Sequence, residues 1–170
     1  LWDPPLLMAA HVTQAFGNRL IGPFITDIDA ELAVGSFPMS GDVKTLQQHD
    51  VIAVVNMQAE WPGPVQEYEQ ASITQLRLPT VDTLAPSLDD LRRGVVFMRE
   101  QLRTHPGKRV FVHCKGGRGR AATMALSFLI VERGMVLEEA FAYLKKRRPV
   151  VTKTVLGYPQ LHTLSNSSSS

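Results

Sequence analysis

Only one cysteine, Cys114, occurs among the 170 residues, which excludes an internal disulfide. His11, His49, His105 and His162 show no ligand spacing with that cysteine or with paired acids, so neither a metal nor any other cofactor is expected. Long apolar runs are missing as well. The longest window, around Met124 to Val131, is far too short to span a bilayer, so no transmembrane segment is expected. Aromatic residues make up 7% of the chain and are not interleaved with basic ones, and no groove-reading motif accompanies them, which argues against nucleic acid as a partner. No secretory signal is legible where the chain opens on Leu1, and no internal repeat is visible. What remains is 44% hydrophobic, enough for the core of one ordinary domain.

The net charge of +2 hides an uneven division. Residues 1–98 carry 5 Lys/Arg against 12 Asp/Glu, whereas residues 99–170 carry 13 against 4. The basic half surrounds the cysteine, which favours an anionic substrate.

Periodicity supplies the framework. Strands are expected near Leu20 to Ile25 and Leu32 to Gly35, a short helix from Asp42 to His49, then a buried strand from Val51 to Asn56 and an alternating one from Ile73 to Leu78. Ser87, with Asp90 three residues on, predicts a capped helix whose apolar stripe is Leu88, Leu91, Val95, Met98 and Leu102. Arg109 to His113 reads as a strand, Ala121 to Arg133 as a helix stopped by Gly134, and Leu137 to Arg148 as a helix buried through Leu137, Phe141 and Leu144. A further helix precedes the serine-rich end. Strands separated by helices imply an α/β fold with a central, mostly parallel sheet flanked by helices. The domain reading is an N-terminal extension over residues 1–19, a catalytic domain over 20–164 and a disordered serine-rich tail over 165–170. Trp2 and the Leu6-Leu7-Met8 cluster are expected to pack on the domain, with a docking surface as the alternative.

The stretch HCKGGRGRAAT, His113 to Thr123, lies where strand hands over to helix. The first amides of a helix lack internal partners, the helix dipole adds positive charge, and Gly116, Gly117 and Gly119 let successive N–H groups curl around one oxyanion. A cysteine at that place is expected to be held largely as thiolate, a nucleophile rather than an inert core residue, and such a thiol suits a reducing, intracellular setting. Arg120, six residues after Cys114, closes a C-x5-R loop around a tetrahedral dianion with a fork that takes two oxygens at once. An alkoxide leaving group calls for a proton donor on another loop. Asp82 follows directly on a strand, 32 residues before the cysteine, whereas Asp89 and Asp90 compete from the first turn of a helix, where the dipole explains them. His113 either hydrogen-bonds the loop backbone or simply packs. Lys145 to Arg148 read as a solvated helix end, with contact to an anionic bilayer as the alternative.

These residues resemble the cysteine-dependent protein tyrosine phosphatase superfamily, whose signature H-C-x2-G-x2-R-[ST] is matched by His113, Cys114, Gly117 and Arg120, with Ala121 in place of the hydroxyl residue. More narrowly, QLRLPTVDTLAPSLDDLRRGVVF, VHCKGGRGRAATM and the spacing between them are similar to the mitochondrial-type dual-specificity phosphatases, as is QEYE at Gln66 to Glu69. The resemblance spans roughly Asp27 to Pro149. It implies the dual-specificity phosphatase fold, Asp82 as the acid, a mitochondrial setting, and phosphatidylglycerophosphate, an acidic phospholipid at a membrane surface, as substrate. The substrate phosphate is expected on Lys115, Gly116, Gly117, Arg118, Gly119 and Arg120. Lys115 and Arg118 either favour a substrate with more negative charge than one phosphate group or simply point to solvent. A protein phosphatase acting on phosphotyrosine or phosphoserine/threonine stands as the alternative. A sulfurtransferase would have a shorter loop, and a non-catalytic phosphate-binding module is kept open by Ala121.

Overall fold

The computed structural model describes residues 22–168. The N-terminal extension, with Trp2 and the Leu6-Leu7-Met8 cluster, lies outside them. Strands β1 (Ile25–Asp27), β2 (Leu32–Ser36), β3 (Val51–Gln58), β4 (Thr74–Thr80) and β5 (Arg109–Cys114) form one sheet in the order β1-β2-β5-β3-β4. The pairings β2–β5, β5–β3 and β3–β4 are parallel, and β1 is an antiparallel edge. The expected mostly parallel α/β sheet is the one observed.

Side-chain alternation sorts the sheet into two cores. Val34, Val112 and Val55 stand in register across β2, β5 and β3 and face α3 (Leu88–Thr104), α4 (Arg120–Arg133), α5 (Leu137–Arg147) and α6 (Pro159–Ser168). One residue back, Ala33, Phe111 and Val54 form the opposite row and pack against α1 (Val43–Gln48) and α2 (Val65–Gln70). Helix α4 runs through the larger core with every residue from Arg120 to Ile130 buried, and it ends at Gly134 in the left-handed region at φ +65°. Helix α3 approaches it at Gly94, where a Cβ would lie 2.3 Å from Met124 Sδ.

The expected stripe on α3 is buried at Leu91, Val95, Met98 and Leu102, with Leu88 at its first turn half-buried, and Ser87 Oγ accepts from the Asp90 amide at 3.1 Å. Three expectations shift. The first strand begins at Ile25, because Gly22 sits at φ +78° and Pro23 has no N–H to give a ladder. Helix α5 ends at Arg147, with Arg148 turned out of helical geometry as its cap. The serine-rich end is helical through Ser168, since buried Leu161 and Leu164 anchor α6 and Ser165 Oγ accepts from the Leu137 amide. Helix α2 and the 3₁₀ turn Lys153–Gly157 carry no periodic signal long enough to read.

Candidate active site

All the parallel strands point their carboxyl ends at one edge, and the chemistry collects there. Cys114 closes β5, Ser36 closes β2 in register with it, Glu60 lies two residues beyond β3, and Asp82 lies two residues beyond β4. Cys114 is 3% exposed. Gly119 caps α4 without any side chain over the helix end, so the first-turn amides face the loop.

Arg120 enters that loop from the first position of α4 with its side chain 3% exposed. Its Nη1 donates to Glu60 Oε2 at 2.9 Å and to the Thr80 carbonyl at 2.8 Å, and its Nη2 donates to Glu60 Oε1 at 2.8 Å. This fork-to-fork pair fixes the guanidinium plane. Asp82 Oδ1 makes an ion pair with the same Nη2 at 3.0 Å, while its side chain remains 52% exposed and also accepts from the Thr83 amide at 3.0 Å. Burial works to raise the Glu60 carboxyl, but hydrogen bonds from Arg120, its own backbone and Gln58 overcome that and hold it at about 2. Burial likewise opposes the charge on Arg120, and Glu60, Cys114 and Asp82 together raise it above its ordinary value.

The glycines are shaped by a second arginine. Arg148 is fully buried, and it donates from Nε to the Gly117 carbonyl at 2.9 Å and from Nη2 to the Gly116 carbonyl at 3.0 Å. Its Nη1 reaches Pro23 O at 2.9 Å and Thr26 Oγ1 at 2.8 Å. Gly117 lies at φ +63°, where a Cβ would meet Gly35 O at 2.5 Å and Arg148 Nη2 at 2.7 Å, so only glycine fits. The solvated helix end expected over Lys145 to Arg148 is therefore wrong at its last residue.

Of the remaining expected residues, Lys115 is half-buried and makes no hydrogen bond or ion pair with the described residues. Arg118 is exposed, with Nε 3.4 Å from Val150 O, and its carbonyl accepts from the Thr152 amide at 3.0 Å. His113 is wholly buried on the face opposite Cys114, stacked on Phe111 with centroids 5.6 Å apart. Neither of its ring nitrogens has a hydrogen-bond partner among the described residues, and the Cys114 backbone lies close enough to favour the charged ring but outside hydrogen-bond geometry. Burial pulls it down to about 3, so the ring is neutral at physiological pH. Asp90 pairs with Arg93 at 2.9 Å, and neither it nor Asp89 touches Arg120. The QEYE residues lie on α2, where Glu67 accepts from Ser40 Oγ and the Gly41 amide and Tyr68 fills the smaller core.

Glu60 and Arg148 were not singled out by the sequence. Glu60 offers the same signal as Asp82, an acid just past the carboxyl end of a buried strand. Arg148 continues the spacing of Leu137, Phe141 and Leu144 on the buried side of α5, which sets it apart from the exposed Lys146 and Arg147.

A strand, a glycine-rich anion loop carrying a thiol, and a helix opening on a fork-paired arginine define a phosphate-handling α/β domain of the C-x5-R type. The family model for the dual specificity phosphatase catalytic domain matches residues 32–166, and the chain belongs to that family. It is 35% identical over 131 residues to human phosphatidylglycerophosphatase and protein-tyrosine phosphatase 1, covering 73% of this chain and 64% of the relative. It is 34% identical over 127 residues to phosphatidylglycerophosphate phosphatase PTPMT2 of Arabidopsis thaliana, covering 73% of this chain and 55% of that one. The chain thus spans less than two thirds of both relatives' lengths. The crystal structure of PTPMT1 in complex with PI(5)P superposes with a TM-score of 0.74 at 28% identity, covering 86% of this chain and 95% of that one. Among the described residues no helix is long and apolar enough to cross a membrane.

Proposed function

We propose that the chain is a phosphomonoesterase that works through a cysteinyl-phosphate, needs no metal, and acts on an acidic phospholipid of the phosphatidylglycerophosphate kind. The observation that carries this reading is the convergence of the Cys114 loop, the Glu60-braced Arg120 and Asp82 at one sheet edge, with Asp82 3.0 Å from Arg120. The Cys114 thiolate attacks phosphorus in line, the ester P–O bond breaks, and Asp82 gives its proton to the departing oxygen. Arg120 and the loop amides of Lys115 to Arg120 hold the three equatorial oxygens. The Asp82 carboxylate then takes a proton from water as the water oxygen attacks phosphorus. The S–P bond breaks, the thiolate returns and inorganic phosphate leaves. Since Nη1 of Arg120 is held by Glu60 and Thr80 and Nη2 by Glu60 and Asp82, the incoming dianion displaces Asp82 from Nη2, and the freed carboxylate takes a proton from solvent before it meets the leaving group as the acid.

The names of the relatives support the phospholipid, as does the half-buried Lys115 of the loop, which has no partner among the described residues. The name of the human relative also supports a protein phosphatase reading. Phosphate release from phosphatidylglycerophosphate, PI(5)P and a phosphotyrosine peptide separates them: the lipid reading expects kcat/KM on vesicles or micelles of the first to exceed that on the peptide by at least about tenfold. Cys114→Ser should abolish release from all three while still binding inorganic phosphate. Release by that variant would end the covalent mechanism.

A further inference from the structure

We propose that Arg148 is a positioning residue for the reaction: a buried guanidinium that aims the amides of the phosphate loop from behind and leaves its own charge uncompensated for the anion in front. The inference rests on the cysteinyl-phosphate reading above.

The geometry argues it in two parts. Among the described residues Arg148 makes four hydrogen bonds, all to neutral oxygens: the carbonyls of Gly116, Gly117 and Pro23 and the hydroxyl of Thr26. A peptide plane whose C=O is turned toward Arg148 points the next residue's N–H the other way, so the amides that follow Gly116 and Gly117 are directed into the loop cavity. Lysine, a point donor without the planar fork, cannot hold both carbonyls and also reach β1.

The second part is charge. Among the described residues no carboxylate pairs with Arg148, although its side chain is wholly buried. A buried charge without a counter-ion is costly and persists where an anion is to be met. The groups facing the thiol are Arg120, tied to Glu60 and Asp82, and Arg148 itself, with Lys115 and Arg118 on the loop and His113 neutral behind it. Burial lowers Arg148 to about 10 and the nearby Cys114 sulfur opposes that pull, which places the two within electrostatic reach. Arg148 therefore supplies a net positive field at Cys114, whereas much of the Arg120 charge is offset by its acids.

The test compares Arg148→Met, which removes fork and charge, with Arg148→Lys, which keeps the charge and loses the fork. Two quantities are read: the pH midpoint of Cys114 alkylation by iodoacetamide, and kcat/KM with p-nitrophenyl phosphate. Arg148→Met should raise the midpoint by about one pH unit or more and lower kcat/KM by about 10²-fold. Arg148→Lys should keep the midpoint near that of the wild type yet lose about tenfold in kcat/KM. A folded Arg148→Met protein with the wild-type midpoint and rate overturns the proposal. Should that variant fail to fold, wild-type kcat/KM in Arg148→Lys overturns it equally. The alkylation midpoint needs no turnover, so the expected midpoint shift in Arg148→Met beside a wild type that releases no phosphate from any ester defeats the phosphatase reading while leaving the field of Arg148 at Cys114 standing.

Discussion

The two buried arginines beside the phosphate loop are held in opposite ways. Among the described residues Arg120 meets two carboxylates, Glu60 through a fork and Asp82 through one oxygen, while Arg148 meets carbonyls and a hydroxyl and no carboxylate. Fixed counter-charges make the first a rigid template whose plane is set before substrate arrives. Neutral partners make the second a source of field. A dianion-binding site needs both, since a template alone would be neutralised by its own acids and a bare field alone would not orient oxygens.

The comparison breaks most severely at Arg120. Arg120→Lys should lower kcat/KM by about 10³-fold, because a point donor cannot keep the fork with Glu60 and present a second edge to phosphate. Steady-state assay on p-nitrophenyl phosphate measures it, and a loss under tenfold would show that the loop amides alone orient the oxygens. Next in size is Asp82→Asn, which should cost about 10²-fold with alkyl phosphates and much less with p-nitrophenyl phosphate, whose leaving group hardly needs a proton. The same variant should bind inorganic phosphate more tightly, since the carboxylate that competes for Nη2 is gone. Equal losses on both esters would remove Asp82 from the acid's role.

How much of this was legible follows from where each signal lies. The C-x5-R loop is local in sequence, so Cys114, the glycines and Arg120 could be read directly, as could β5 and α4 on either side. Asp82 could be read because the ends of parallel strands meet. The same reasoning applies to Glu60, but the Trp-Pro-Gly stretch that follows it carries no period to mark where its loop turns. Arg148 was hidden by composition: in a run of four cations the burial of one shows only through its spacing from Leu144. His113 could not be resolved between packing and hydrogen bonding, because that depends on the Phe111 ring and on which face of the sheet it takes.

A smaller effect is expected at Glu60. Its carboxyl is lowered from 4.5 to about 2, so its contribution to stability is complete above pH 4.5 and is lost as pH falls toward 2. His113 acts in the same direction. Burial lowers it from 6.5 to about 3, so the unfolded chain takes up a proton that the folded one refuses, and stability falls as pH drops between those values. Glu60→Gln should destabilise by about 2 kcal/mol at neutral pH, a difference that closes at the acid end, and should lower kcat by about tenfold. Denaturant unfolding at a series of pH values measures it. A constant gap down to pH 2 would show that Glu60 acts by packing rather than by charge.

The finest distinction concerns Ala121, which replaces the hydroxyl residue of the family signature. Thr123 does not substitute for it, because its Oγ1 donates to Gly119 O at 2.9 Å within the helix. Ser36 is the better placed hydroxyl: it is wholly buried, in register with Cys114 on the neighbouring strand, and on the same face of the sheet. A hydroxyl at the sulfur helps the thiolate leave in the second step, after the first leaving group has gone. Ser36→Ala should therefore show a burst of phenol approaching one per site from an activated aryl phosphate, followed by turnover about threefold to tenfold slower than the wild type, as the cysteinyl-phosphate accumulates. Adding Ala121→Ser to that variant should restore the steady rate with the burst rate nearly unchanged. If Ser36→Ala turns over at the wild-type rate without a burst, the loop amides and the Arg148 field suffice to release the thiolate, and the distinction between the two arginines extends to the second step.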